Sequence, residues 1–126
     1  MNKKFFIIIG SIFVVLIAGI IILSLNDQTI KTVDGDKVRQ ILDENPNNSV
    51  FIDVRSSEEH QENGIDSSIV IPYNQIEAVI KKYYPDKNTH IIVYCNTGNK
   101  SRIAANTLKS LGYKNIYDMG SYKNWE

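Results

Sequence analysis

Residues 5–25, FFIIIGSIFVVLIAGIIILSL, are 21 apolar or small residues without a single charge. At ~1.5 Å rise per residue, a helix of that length spans about 31 Å, which matches a ~30 Å hydrocarbon core. A cleaved signal peptide has a shorter apolar core of ~7–15 residues followed by an A-x-A-like site. Here the run exits through Leu23-Ser24-Leu25-Asn26-Asp27, which offers no such site, and the only cysteine, Cys95, is far from any lipoprotein cleavage point. Residues 1–25 therefore read as a short stub and an uncleaved transmembrane anchor. Lys3 and Lys4 precede the run and Asp27 is the first charge after it. The positive-inside rule then predicts a single-pass cell-membrane protein with a cytoplasmic N-terminus and an extracytoplasmic domain. The run has neither GxxxG spacing nor an ionisable residue, so it reads as an anchor only.

Residues 26–126 carry 12 basic and 14 acidic side chains. Binding to nucleic acid requires a basic surplus that displaces counterions from phosphates, and this domain has none. Ten Pro and Gly in the whole chain are too few for a low-complexity protein, while 20 Ile and 7 Tyr suffice for a core. Residues 26–33 read as a linker ending in a short strand (29–33), and residues 34–126 as a globular domain.

Within it, Asp34 is a candidate N-cap for a helix with Val38, Ile41 and Leu42 on one face. Val50–Val54 reads as a strand, and Ser56 or Ser57 as the cap of a short polar helix. Ile69–Ile71 reads as a strand, and Asn74–Tyr84 as a helix with Ile76, Val79, Ile80 and Tyr83 in register. His90–Tyr94 is the most strand-like run. Ser101–Leu111 reads as a helix with Ile103, Ala104, Thr107, Leu108 and Leu111 inward and Gly112 as its C′ residue. Ile116–Met119 is the last strand. This alternation predicts an α/β fold, a small mainly parallel sheet with helices on both faces, preceded by one transmembrane helix. Ligands in such folds bind beyond the carboxyl ends of the strands, which directs attention to Asp53–Arg55, Pro72 and Cys95.

Tyr94-Cys95-Asn96-Thr97-Gly98-Asn99-Lys100-Ser101-Arg102 leads from the strongest strand into a helix. Small and polar residues there allow several backbone N–H groups to converge, and the helix N-terminus adds partial positive charge. A thiol in such a cradle is biased toward thiolate, and an anionic group bound to its sulfur is stabilised by the same donors. Lys100 and Arg102 add positive charge nearby. A lone cysteine is otherwise a small hydrophobe ending a buried strand. With a single Cys there is no internal disulfide and no CxxC pair, so any chemistry must use one sulfur. No metal-ligand spacing and no nucleotide-binding glycine loop is present.

Taken in order, Asp53-Val54-Arg55, Glu59, the Ile69–Pro72 strand, Tyr94-Cys95-Asn96-Thr97-Gly98-Asn99-Lys100-Ser101, Ala104-Ala105, Leu108, Leu111-Gly112-Tyr113, Gly120 and Trp125 resemble a single-domain rhodanese over residues 29–126. The resemblance implies a sulfurtransferase without a cofactor. Cys95 would take sulfane sulfur from an anionic donor such as thiosulfate, hold it as a persulfide, and pass it to a thiol or cyanide acceptor or to a partner protein. It also implies an anion cradle formed by Asn96, Thr97, Gly98, Asn99, Lys100 and Ser101. Phosphatase and arsenate-reductase relatives place an Arg six residues after the Cys, where this chain has Ser101, which favours the shorter sulfur-transfer loop. A catalytically inactive, membrane-tethered binding module is the alternative of a different class.

The chain departs from the family pattern in having Lys100 where Arg is usual, which removes a bidentate fork. Asn63-Gly64-Ile65-Asp66-Ser67-Ser68 stands in place of Gly-His-Ile-Pro-Gly-Ala, and Gly120-Ser121 in place of Gly-Gly. Asp53, Arg55 and Arg102 are candidates either to bind the donor or to brace the loop, with bracing favoured for Asp53. Glu59 reads as a loop brace, His60 and His90 as surface or packing residues, and Trp125 as a core plug.

Overall fold

The computed structural model describes residues 2–25 and 27–126. Helix α1 (Lys3–Leu25) is the apolar run, and from Phe5 to Ile22 its side chains are exposed rather than packed on the domain. It is long and apolar enough to cross a membrane, a property it shares with signal sequences.

The domain follows the order β1 (Ile30–Thr32), α2 (Gly35–Glu44), β2 (Ser49–Asp53), α3 (Ser57–Asn63), β3 (Ile69–Val70), α4 (Ile76–Tyr83), β4 (His90–Cys95), α5 (Asn99–Ser110) and β5 (Asn115–Ser121). Single 3-10 turns at Tyr73–Gln75 and Tyr122–Trp125 precede α4 and follow β5. The five strands form one sheet in the order β1-β5-β4-β2-β3. Every pairing is parallel, so the fold is the α/β sheet expected, without an antiparallel member among the described strands. Parallel strands buried on both faces need continuous apolar runs, which Val50-Phe51-Ile52 and Ile91-Ile92-Val93 supply.

Strand alternation divides the core into two layers. On one face Ile52, Val54, Ile91, Val93, Cys95 and Ile116 meet α4 and α5. On the other, Phe51, Ile92, Tyr94, Tyr117 and Met119 meet Val38 and Ile41 of α2. Local chemistry sets the helix ends. Asp34 accepts from the Lys37 N–H at 2.9 Å, and Ser56 with Glu59 forms a reciprocal capping box around α3. A Cβ at Gly35 would collide with the backbone of Trp125, so glycine is what lets the last turn close over α2.

Several element limits and faces differ from the sequence reading. The β3 strand has two residues: the Ile71 N–H makes the last ladder bond, to the Asp53 carbonyl at 3.0 Å, and Pro72, with no N–H, follows. The β4 strand extends through Cys95, and α5 starts two residues earlier than expected, at Asn99. Two residues assigned inward by spacing point outward: Tyr83 is 63% exposed and Ile103 49%. Ala105 and Ser101 take the inner positions beside Ala104 and Leu108, so the contact face of α5 is rotated toward small residues that let it sit close to the sheet. Trp125 is half-buried, its ring 5.3 Å from that of Phe51 and 4.0 Å beneath the Arg39 guanidinium.

Candidate active site

All strands being parallel, their carboxyl ends share one edge, and the central strand β4 ends there in Cys95. Position alternation sends Tyr94 to the α2 side of the sheet and Cys95 to the α5 side. Beyond Cys95 the chain turns through Gly98, whose φ of 92° lies in the left-handed region that side chains disfavour. That turn aims the amides back at the sulfur. The N–H of Gly98 donates to Cys95 Sγ at 3.0 Å and that of Ser101 at 3.3 Å.

These two donors are among the four N–H groups that helix geometry leaves without an intrahelical partner at the start of α5. The other two belong to Asn99 and Lys100, and the first intrahelical bond is Arg102 N–H to the Gly98 carbonyl. The sulfur thus occupies half of the anion-binding capacity of a 12-residue helix N-terminus. The Ser101 hydroxyl, fully buried, donates to the Gly98 carbonyl at 3.1 Å and fixes the turn. Cys95 itself is 2% exposed, so only a small reactant meets it in this state of the loop.

On the opposite face of the sheet a buried polar network ties the loop to its surroundings. The Asp53 carboxylate accepts from the Arg55 N–H and Nε at 3.0 Å each, from Arg55 Nη2 at 2.8 Å, and from the Tyr94 hydroxyl at 3.0 Å. His60 Nδ1 lies 3.0 Å from the same carboxylate. Arg55 Nη1 then reaches Asn63 Oδ1 at 2.6 Å and Asn96 Oδ1 at 2.9 Å. Asn96 in turn donates to Glu59 Oε2 at 2.6 Å. The Arg55 guanidinium, 2% exposed, is therefore spent on bracing, and Asn96 contributes its side chain to the brace and not to the cradle. Burial alone would raise the Asp53 pKa, but hydrogen bonds from the Arg55 side chain and backbone and from His60 outweigh it and hold the carboxyl below its usual range. The Asn96 hydrogen bond likewise lowers the Glu59 pKa. The Tyr94 hydroxyl, pushed up by burial, stays neutral and also binds the Ile65 N–H and Ser68.

The remaining candidates are dispersed. The Lys100 ammonium sits 5.6 Å from the Tyr73 ring centroid, beside a cavity of about 340 Å³ that Ser56 and Gln75 also line. Arg102 is exposed. A second cavity of about 350 Å³ opens beside Asn96 and Thr97, walled by Arg55, Glu59, Asn63 and Tyr122. His90 packs at the far edge against Tyr117. Among the described residues no group of three or more His, Cys, Asp or Glu is arranged to hold a metal. The sequence assigns no role to the Asn63 or Tyr94 side chains and reads His60 as surface or packing, whereas His60 meets Asp53.

A family model for the rhodanese-like domain matches residues 34–126. The chain belongs to the rhodanese-like family. It is similar to the thiosulfate sulfurtransferase PspE of Escherichia coli, with 35% identity over 74 residues, 59% of this chain and 71% of that protein. Among solved structures it resembles a rhodanese with anions from E. coli, at 34% identity and a TM-score of 0.57 over 60% of this chain and 89% of that one. The human single-domain sulfurtransferase TSTD1 aligns with a TM-score of 0.62 and 25% identity, over 75% and 93% of the two chains. With these relatives the chain is a rhodanese-type sulfurtransferase, and the network just described is what shapes the cysteine loop of this rhodanese domain.

Because the folded Asp53 pKa lies below its unfolded value of about 4, its stabilisation is complete above that pH and is lost as pH falls through the folded value. Asp53→Asn leaves Arg55 buried and underpaired, so unfolding in urea at neutral pH should show a loss of ~3–5 kcal/mol. The variant should also lose part of the wild-type decline in midpoint below about pH 4. Asn96→Ala cuts both the Arg55 and the Glu59 ties. Steady-state assay with thiosulfate should show kcat/KM reduced by about 3–10-fold, the worth of a ~0.5–1.5 kcal/mol hydrogen bond, with the fold retained.

Proposed function

We propose that Cys95 is the nucleophile and sulfur carrier of a membrane-anchored sulfurtransferase. The observation that carries this reading is the pair of main-chain amides, from Gly98 and Ser101, donating to Cys95 Sγ at the start of α5. Donors fixed by backbone geometry need no reorganisation as charge shifts on the sulfur. The Cys95 thiolate attacks the outer sulfur of thiosulfate, a bond forms between the two sulfurs, and the bond to the sulfonate sulfur breaks. Sulfite leaves with that electron pair, and a persulfide anion remains on Cys95. A thiol or cyanide acceptor then attacks the terminal sulfur, the persulfide S–S bond breaks, and the thiolate returns to its two amides.

The first-turn amides of Asn99 and Lys100 are the proposed site for the donor's negative charge, with Thr97 and Gly98 completing the cradle. Asp53, Arg55 and Asn96 serve as the brace and contact no substrate in this reading. Lys100, on the same turn, draws anionic donors by long-range attraction from its position beside Tyr73. Helix α1 is proposed as an uncleaved anchor with its N-terminus in the cytoplasm and the domain on the other side of the membrane. Its length, its exposed apolar side chains and the flanking lysines support that topology.

Intact-mass analysis after incubation with thiosulfate should show a gain of one sulfur atom, mapped to Cys95, removed by cyanide and missing in Cys95→Ser. A protein that acquires no transferable sulfur would instead be the inactive binding module. For the topology, a membrane-impermeant thiol reagent applied to intact cells should label Cys95; labelling only after lysis would reverse the orientation.

A further inference from the structure

We propose that the edge of the domain opposite Cys95 is a membrane-facing surface that docks on anionic lipid headgroups. The inference rests on the anchoring of α1 proposed above. In a wholly parallel sheet the strand N-termini and helix C-termini share the edge remote from the active site. That edge collects Lys81 and Lys82 in the last turn of α4 and Lys109 in the last turn of α5. Lys87 and Lys114 join them from the loops that open β4 and β5, held together by Lys114 N–H to the Lys87 carbonyl at 3.0 Å. Lys31 borders a cavity of about 240 Å³ with Lys114 and Thr29 beside the same edge.

The acids at this end are Asp27, Asp43, Glu44 and Asp86, and Glu77 reaches it from one turn back on α4, 3.4 Å from Lys81. Asp27 is bonded to Lys109 at 2.6 Å, and Asp43 and Glu44 close α2 on the other face of the sheet. The edge thus carries six lysines against five carboxylates, while the rest of residues 26–126 carries six basic and nine acidic side chains. Lysines at helix C-termini also offset the helix dipole. Lys87, whose ammonium lies 4.2 Å from the Tyr113 ring centroid, and Lys114 lie in loops and Lys31 in a strand, where no dipole calls for them.

Two further observations place this edge at a bilayer. Asp27 follows the last residue of α1, Leu25, by two positions, at most ~7 Å of chain. Its ion pair with Lys109 therefore brings the end of α5 close to the end of the apolar helix. That separation is within a Debye length of ~8–10 Å, the range over which anionic lipids attract juxtamembrane lysines. Tyr83, the outward residue at the end of α4, presents an aromatic body and a polar tip beneath Lys82 Nζ, 5.2 Å from its ring. Such residues concentrate at membrane interfaces.

The test uses the full chain in a Cys95→Ser background, with one fluorophore-labelled cysteine at Ser110→Cys, on the basic edge, or at Ser57→Cys, at the other end. The protein is reconstituted in vesicles containing a headgroup-quencher lipid, either of phosphatidylcholine alone or with about 30% phosphatidylglycerol. Quenching at position 110 should be at least about twofold stronger in the anionic vesicles and fall to the neutral level at ~0.5 M salt. Position 57 should not respond, and Lys81→Gln with Lys82→Gln and Lys114→Gln should abolish the difference at 110. A chain that floats with both vesicle types but is quenched equally at 110 in each overturns the docking alone. A chain that floats with neither overturns the anchor and the docking together.

Discussion

The carboxylate of Asp53 is the fixed point on which the site depends. It is fully buried, at the carboxyl end of β2, and is kept ionised there by Arg55, His60 and Tyr94. An isolated charge in that position would cost several kcal/mol, and only an interlocking set of donors offsets it. Once Arg55 is held by Asp53, its remaining nitrogen has one direction in which to reach, toward Asn63 and Asn96. Asn96 is the residue after Cys95. The brace on one face of the sheet thereby sets the path of the loop whose amides, on the other face, meet the sulfur.

The two faces are coupled because β4 alternates. Tyr94 delivers its hydroxyl to Asp53 while its neighbour delivers the thiol to α5. The β4–β5 register also shifts at this point: Val93 faces Asp118 but Tyr94 faces Gly120, so β5 carries an extra residue beside the loop. Gly120, with φ of 73°, accommodates that bulge. Bulges next to a site re-aim the chain locally, and here the bulge leads into the last turn, which brings Tyr122 to 5.2 Å from the Arg55 guanidinium.

Much of this was legible in the sequence, for reasons that differ between elements. The central strands announce themselves because double-sided burial demands unbroken apolar runs, and the cysteine loop because its residues are contiguous. Helix faces were less legible. Spacing identifies residues that share a side but not how far the contact extends, so it assigns Ile103 and Tyr83 inward, although Ser101 and Ala105 do the packing in α5 and Ile76 and Ile80 in α4. The brace was barely legible at all. Arg55 and Asn96 are 41 positions apart and Asn96 and Glu59 37, and no periodicity links polar side chains that meet only once the sheet is assembled. Lys100 shows a related limit: its place in the loop was visible, but the pull of the Tyr73 ring on its flexible stem was not.

Helix α5 has the sulfur-binding amides at its first turn and, through Lys109, the chain leaving α1 at its last. Its 12 residues form a strut of about 18 Å. In a tethered molecule this strut would set a stand-off between the Cys95 sulfur and the lipid. Reactants dissolved in the hydrocarbon would then be out of reach, and small solutes in the adjoining water would be the ones able to approach.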